Sequence, residues 1–212
     1  MIFSLIHPSR ERSSQAYNTF LNWMQKASTK NTYQYIVSID DDDKQALSYE
    51  ILFKGTGVLL ISNDNKTLID AVNKGALKAK GDVLICVSDD FDCPLNWDIE
   101  LAKIINPKKL QAIHVDDNYS NHGRLLTIPI LTMKLYEDLG YIYHPAFDGM
   151  YVDNYLYEVC DKKDVVIKSS LVFDHLHYTN GKAPIDATYR KHNTAEKYKQ
   201  GRELFDHLMK SL

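Results

Sequence analysis

Short runs of consecutive apolar residues recur through the first half of the chain, separated by stretches whose apolar residues return every three or four positions. The runs are Ile2–Ile6, Tyr35–Ile39, Gly57–Ile61 and Val83–Val87. Val83–Val87 is unbroken and the others are interrupted at most by one serine, Ser4 or Ser38, which predicts strands covered on both faces, as in a parallel sheet between helices. Between them, Arg10–Ala27 sets Ala16, Phe20, Trp23, Met24 and Ala27 on one helical face. A second helix is predicted from Asp43 to Phe53, and a third over Lys66–Lys78, with Leu68, Val72, Ala76 and the following Ala79 as its stripe. Strand and helix alternate four times, which is the signature of a doubly wound α/β sheet.

The second half is less regular. Asn96–Ile105 predicts a short helix stopped at Asn106-Pro107, and Leu110–Val115 and Arg124–Ile130 predict strands around a polar loop. Thr132–Leu139 predicts a helix closed by Gly140, and Asp148 is placed to cap a helix running to Cys160. Val165–Phe173 reads as a strand, and Asn193–Leu212 as a terminal helix with Tyr198, Phe205, Leu208 and Met209 inward. A chain of 212 residues can bury one good core, so a single domain over residues 1–212 is expected.

Composition narrows the function. A net charge of −3 gives no nucleic-acid footprint, and no nucleic-acid partner is expected. The three cysteines include Cys86 within an apolar strand, which argues against a disulfide framework and for a reducing compartment. Met1–Ile6 is too short for a signal peptide and no stretch approaches membrane-spanning length, so a cytoplasmic location is expected.

The chemistry concentrates in Gly81–Asp98. Asp89, Asp90 and Asp92 follow the fourth strand directly, and Pro94 ends any regular continuation. Ligands of open α/β sheets bind beyond the carboxyl ends of the strands, where these acids fall. Clustered carboxylates stay ionised together when a cation such as Mg2+ or Mn2+ neutralises them. No Gly-x-Gly-x-x-Gly follows the first strand and no Gly-Lys-Ser/Thr loop exists, which removes dinucleotide and P-loop sites. Asp40 and Asp42 keep the Asp-x-Asp spacing of haloacid-dehalogenase-type phosphatases as nucleophile and acid, although Asp43 replaces the usual Thr or Val.

Taken as a set, Ala71-Val72-Asn73-Lys74-Gly75, Ala79-Lys80-Gly81-Asp82 and Val87-Ser88-Asp89-Asp90 resemble the middle of GT-A-fold glycosyltransferases of the family-2 type. Those proteins show Arg-Asn-x-Gly, Ala-x-Gly-Asp and a strand entering a metal-binding Asp-x-Asp; here Val72 stands for the Arg and Ser88-Asp89-Asp90 for the acids. The resemblance covers roughly residues 1–100. It implies a GT-A (Rossmann-like), mostly parallel sheet flanked by helices, with residues 1–100 as the nucleotide-sugar half and residues 101–212 as the acceptor half. It implies that Pro8 and Arg10 line the base pocket and that Asp40 reads the base, with Asn73 and Asp89 also on the donor. Asp90 and a late histidine, His175 or His177, would hold Mn2+ or Mg2+. Asp153 would be the catalytic base, and Asp116, Asp117 and Tyr143 would meet the acceptor. The segment Gly181-Lys182 to His192, with Asp186, Arg190 and Lys191, would form a lid. The implied activity is metal-dependent, inverting transfer of a sugar from a nucleotide-diphosphate donor, UDP-linked, to a sugar or glycan hydroxyl. Two alternatives stand beside it: a Mg-dependent phosphatase using Asp40, and a non-catalytic nucleotide-sugar-binding protein. Peripheral membrane association stays open, since the acceptor can be lipid-linked.

Overall fold

In a computed structural model, which describes residues 1–119, 123–176, 181–182 and 194–212, the apolar runs become the middle of a seven-stranded sheet. In chain order the first half is β1 (Ile2–Pro8), α1 (Ser13–Lys26), β2 (Thr32–Asp40), α2 (Ala46–Phe53), β3 (Leu59–Asn63), α3 (Leu68–Ala76), β4 (Val83–Cys86), β5 (Phe91–Asp92) and α4 (Trp97–Ile104). The second half is β6 (Ala112–Asp116), β7 (Ile130–Thr132), α5 (Met133–Leu139), α6 (Val152–Lys162), β8 (Val166–Val172), β9 (Asp174–His175) and α7 (Ala195–Met209). The sheet order is β3-β2-β1-β4-β7-β6-β8. β1, β2, β3 and β4 run parallel, β7 is antiparallel to both β4 and β6, and β8 lies parallel to β6.

Each face of the sheet carries its own apolar layer, because successive strand residues point to opposite faces. Phe3, Leu5, Tyr35, Val37, Val83 and Ile85 pack with Trp23, Phe53, Trp97 and Leu101 from α1, α2 and α4. Ile6, Ile36, Leu84 and Cys86 pack with Val72 and Ala76 from α3, and with Leu135 and Leu156 from α5 and α6. The α1 stripe lies against the core as the periodicity predicts. On α3 the stripe turns by one residue: Leu68 is 53% exposed and Ile69 is buried in its place. Gly81 stands where the chain crosses the start of β1, and a Cβ there would lie 2.7 Å from the Ile2 carbonyl oxygen and 2.8 Å from the Ser4 amide nitrogen. The next residue, Asp82, accepts a 2.8 Å hydrogen bond from the Ile2 amide. Gly81 and Asp82 therefore build the frame beneath the site.

Three expectations are corrected in the second half. Arg124–Ile130 is not a strand, and pairing begins only at Ile130. The segment before it is drawn to α6 instead: Leu126 N donates to the Asp153 carbonyl (3.2 Å) and Asn154 Nδ2 to the Arg124 carbonyl (3.1 Å). Asp148 does not cap α6, whose N-cap is Tyr151 at φ 68; Asp148 accepts from Lys197 of α7 at 2.9 Å. Tyr198 of α7 is 49% exposed, while Leu204, Phe205, Leu208 and Met209 are the residues packed on the second apolar layer. Cys86, Cys93 and Cys160 are free and buried. Among the described residues, no helix is long and apolar enough to cross a membrane.

Candidate functional site

Four strands present their carboxyl ends on one edge, and the acids after β4 separate there. Asp92 turns back to α1, where Asn22 Nδ2 donates to it at 2.6 Å and Lys26 pairs with it. Asp90 is turned toward His175. Its Oδ1 accepts from Ser88 Oγ at 2.5 Å and its Oδ2 lies 3.3 Å from His175 Nε2. Asp89 points inward, with Oδ1 2.8 Å from Nε2 of the fully buried His7 and Oδ2 3.9 Å from Arg12 Nη1.

A two-stranded ribbon delivers His175. β5 pairs antiparallel with β9, placing Phe91 opposite His175, and their rings stack at 4.2 Å. The Leu176 amide donates to the Asp90 carbonyl at 2.6 Å, which fixes the two chain segments against each other. Two donor atoms 3.3 Å apart match neighbouring corners of an octahedron, since ligands about 2.1 Å from an ion stand roughly 3 Å apart. Imidazole with carboxylate is a donor set that suits Mn2+ and leaves the remaining positions for oxygen ligands. Among the described residues no group of three such side chains gathers. His177, the other late histidine, lies outside the described residues, as do Asp186, Arg190 and Lys191 of the expected lid.

Asp153 occupies the first turn of α6. Burial pushes its carboxyl above the usual carboxylate range, its own and the Asn154 amides pull it down, Asp117 raises it and His175 lowers it. Asp117 is buried, and its backbone carbonyl accepts from the His175 amide at 3.0 Å. Asp116 lies in a neighbouring cleft with His114, Tyr157, Lys168 and Ser169.

Asn73 and Tyr143 differ from expectation. Asn73 Oδ1 accepts from the amides of Ile142 (3.0 Å) and Tyr143 (3.1 Å), and its Nδ2 donates to the Tyr143 carbonyl (2.7 Å). Its amide fastens the aromatic segment before α6 to α3. Tyr143 is only 6% exposed and sits in the second apolar layer, so its ring is a core element rather than a free stacking face.

At the other end of the edge, Asp40 closes β2 and Pro8 closes β1 beside Ser38. Arg10 bridges Asp40 and Asp42, and Asn65 Nδ2 donates to Asp40 Oδ1 at 3.0 Å. Beside it, the buried Nδ2 of Asn63 and Oδ1 of Asn65 have no hydrogen-bond partner among the described residues.

With this architecture the chain is similar to several solved structures. One is the mannosyltransferase PcManGT from Pyrobaculum calidifontis in complex with GDP-Man and Mn2+, at 12% identity and TM-score 0.66, covering 82% of this chain and 57% of that one. Another is the 1–349 segment of S. aureus TarS in complex with UDP-GlcNAc, at 12% identity and TM-score 0.66, covering 97% and 65%. A third is glucosyl-3-phosphoglycerate synthase from Mycobacterium tuberculosis with Mn2+, UDP and glucosyl-3-phosphoglycerate, at 11% identity and TM-score 0.60, covering 83% and 72%. The chain has a GT-A fold. It spans less than two thirds of the length of the first two of these structures. No protein-family model matches it, and no curated protein matches it by sequence.

Asp40 at the end of β2 and Asp89 and Asp90 just after β4 lie on the carboxyl-end edge of the parallel strands. Sequence reasoning missed His7, Arg12 and the β5–β9 ribbon. The first had a visible signal: an imidazole inside the apolar run Leu5-Ile6-His7 has to find hydrogen-bond partners once the strand is buried.

Proposed function

We propose that the chain transfers a sugar from a nucleotide-diphosphate donor, UDP-linked, to an acceptor hydroxyl. The observation that supports this reading is the Asp90–His175 pair, set by the β5–β9 ribbon just beyond the carboxyl end of β4 in a GT-A fold; Asp153, in the first turn of α6, adds a carboxyl of raised proton affinity.

In this reading Pro8 lines the base pocket, Asp40 accepts the base N–H, and Asp89 takes the ribose. Asp90 and His175 hold Mn2+ or Mg2+, which when bound offsets the charge growing on the diphosphate as it leaves. Asp153 Oδ accepts the proton of the acceptor hydroxyl. The acceptor oxygen forms its bond to the anomeric carbon as the bond from that carbon to the phosphate oxygen breaks, so a nucleoside diphosphate departs from the opposite face. One base and one displacement give inversion. A base works best with a pKa near the operating pH, and the burial of Asp153 moves it that way. Asp116 accepts a hydroxyl of the acceptor, with the cleft around His114 and Tyr157 as its path, while the buried Asp117 acts through its charge on Asp153. Asn73 and Tyr143 shape the wall behind Asp153 rather than touch either substrate.

A phosphatase reading draws no comparable support.

The test is release of nucleoside diphosphate from a panel of UDP- and GDP-sugars with Mn2+ and mixed acceptors. Asp153→Asn should lower turnover by roughly 10²–10⁴-fold, the range for a lost general base, with little change in nucleotide affinity. Full turnover in that variant would remove Asp153 from the mechanism.

A further inference from the structure

Strand β1 predicts an apolar side chain at position 7, facing the same layer as Phe3 and Leu5. The residue is His7, with no exposed surface, and both ring nitrogens are engaged. Nδ1 lies 2.8 Å from Tyr35 Oη and Nε2 lies 2.8 Å from Asp89 Oδ1. The direction of these bonds can be assigned. Burial, and then the Asp89 charge, push the Tyr35 phenol well above its ordinary range, so it keeps its proton and donates to Nδ1. Nε2 then carries the hydrogen and donates to the carboxylate, which only accepts.

The backbone around Asp89 is held by other means. The Val87 amide donates to the Ile6 carbonyl at 2.8 Å, the Phe91 amide to the Ser88 carbonyl at 3.3 Å, and the Leu176 amide to the Asp90 carbonyl at 2.6 Å. The side chain of Asp89 is positioned separately: His7 takes Oδ1, which turns Oδ2 toward Arg12.

We infer that His7 is a positioning residue, held by Tyr35, that fixes the Asp89 carboxylate so that its outer oxygen meets the ribose of the bound nucleotide. The inference rests on the transferase reading above. Outer partners of a binding carboxylate commonly change affinity or activity by ~10–100-fold when removed. Here the effect has a specific form: it falls on recognition of the ribose hydroxyls.

The experiment measures binding of UDP and of 2′-deoxy-UDP, each with Mn2+, by calorimetry, alongside the melting temperature. Wild-type protein should prefer UDP. His7→Phe, which keeps a ring but no hydrogen bond, should bind UDP about 10-fold or more weakly and lose that preference. His7→Gln, whose amide nitrogen can reach the place of Nε2, should restore most of the preference, and Tyr35→Phe should lose part of it. An undiminished preference for UDP in both His7→Phe and Tyr35→Phe overturns the inference while leaving the transferase reading standing. Equal weakening of both nucleotides with the preference intact overturns it as well, since a merely structural residue would act that way. If wild-type protein binds neither nucleotide, the transferase reading fails and the inference falls with it.

Discussion

At the scale of single residues, Asp153 and Asp98 show how one type of side chain serves opposite ends. Asp153 is surrounded so that its ionised form is disfavoured, by burial first and by the Asp117 charge as well. Its pKa is higher in the fold than in the unfolded chain, so the ionised carboxylate destabilises the fold at neutral pH, and this is relieved as pH falls through the raised pKa. Asp153→Asn should therefore raise the melting temperature at pH 7 while removing turnover. The acid limb of the activity profile should lie above the ordinary carboxylate range, near 4. A variant that melts lower than wild type at pH 7 would contradict this account of the site. Asp98 is the reverse case. Burial raises its pKa, but hydrogen bonds from Asn31, Ser28 and Tyr33 outweigh that and bring it to about 2. They tie the α1–β2 loop to the first turn of α4, with Ser28 Oγ at 2.6 Å and Asn31 Nδ2 at 2.6 Å. Because the folded pKa lies below the unfolded-chain value of 3.8, this stabilisation is present above that pH and is lost as pH falls toward 2. Asp98→Asn should lower stability at pH 7 by roughly 1–3 kcal/mol, because its amide faces donors, and should flatten the acid side of the stability curve. Denaturant titrations at pH 7 and pH 3 check both. Acids with such different tasks look identical in a sequence, and only their surroundings separate them.

Elements were legible where periodicity was strong, and much less so where tertiary bonds decided. The strand–helix alternation through Val87 follows from apolar runs, and the structure places all four strands in one parallel block. Arg124–Ile130 looks strand-like by composition, yet its backbone bonds go to Asp153 and Asn154 on α6, and no local pattern records that. The β5–β9 ribbon is equally hidden, because two residues of pairing leave no periodicity. The docking of α7 depends on close approach: a Cβ on Gly201 would stand 2.6 Å from the Met150 carbonyl oxygen and 2.9 Å from Met150 Cβ. Backbone cannot yield as a flexible side chain would. Gly201→Ala, although favourable to an isolated helix by about 1 kcal/mol, should loosen α7 from α6 and the segment before it. Amide hydrogen exchange across residues 195–209 should then accelerate while β1 and β4 stay protected. Unchanged protection of α7 would show that the contact is not limiting.

For the molecule as a whole, the site is a junction of its two halves. Asp40, Asp89 and Asp90 come from the first half, and Asp153, Asp117 and His175 from the second. The ribbon joins them, with one strand from each. The first half was readable because its motif residues follow strands directly. The second half is assembled through space, and the two-residue pairing that sets His175 3.3 Å from Asp90 leaves no pattern in the sequence. Even within the motif the roles divide: Gly81 and Asp82 build the frame, Asn73 ties down a neighbouring loop, and Asp90 is turned toward His175. The central claim is that this edge binds a nucleotide diphosphate through a divalent cation held by Asp90. It is tested most directly by thermal unfolding with UDP, GDP or dTDP, each with and without Mn2+, in wild type and in Asp90→Ala. A nucleotide at about 100 times its dissociation constant should stabilise the wild type by roughly 2.7 kcal/mol. The account predicts such a shift with UDP only when Mn2+ is present, and its loss in Asp90→Ala. Equal shifts with and without Mn2+ in both proteins, or no shift with any nucleotide, would contradict it.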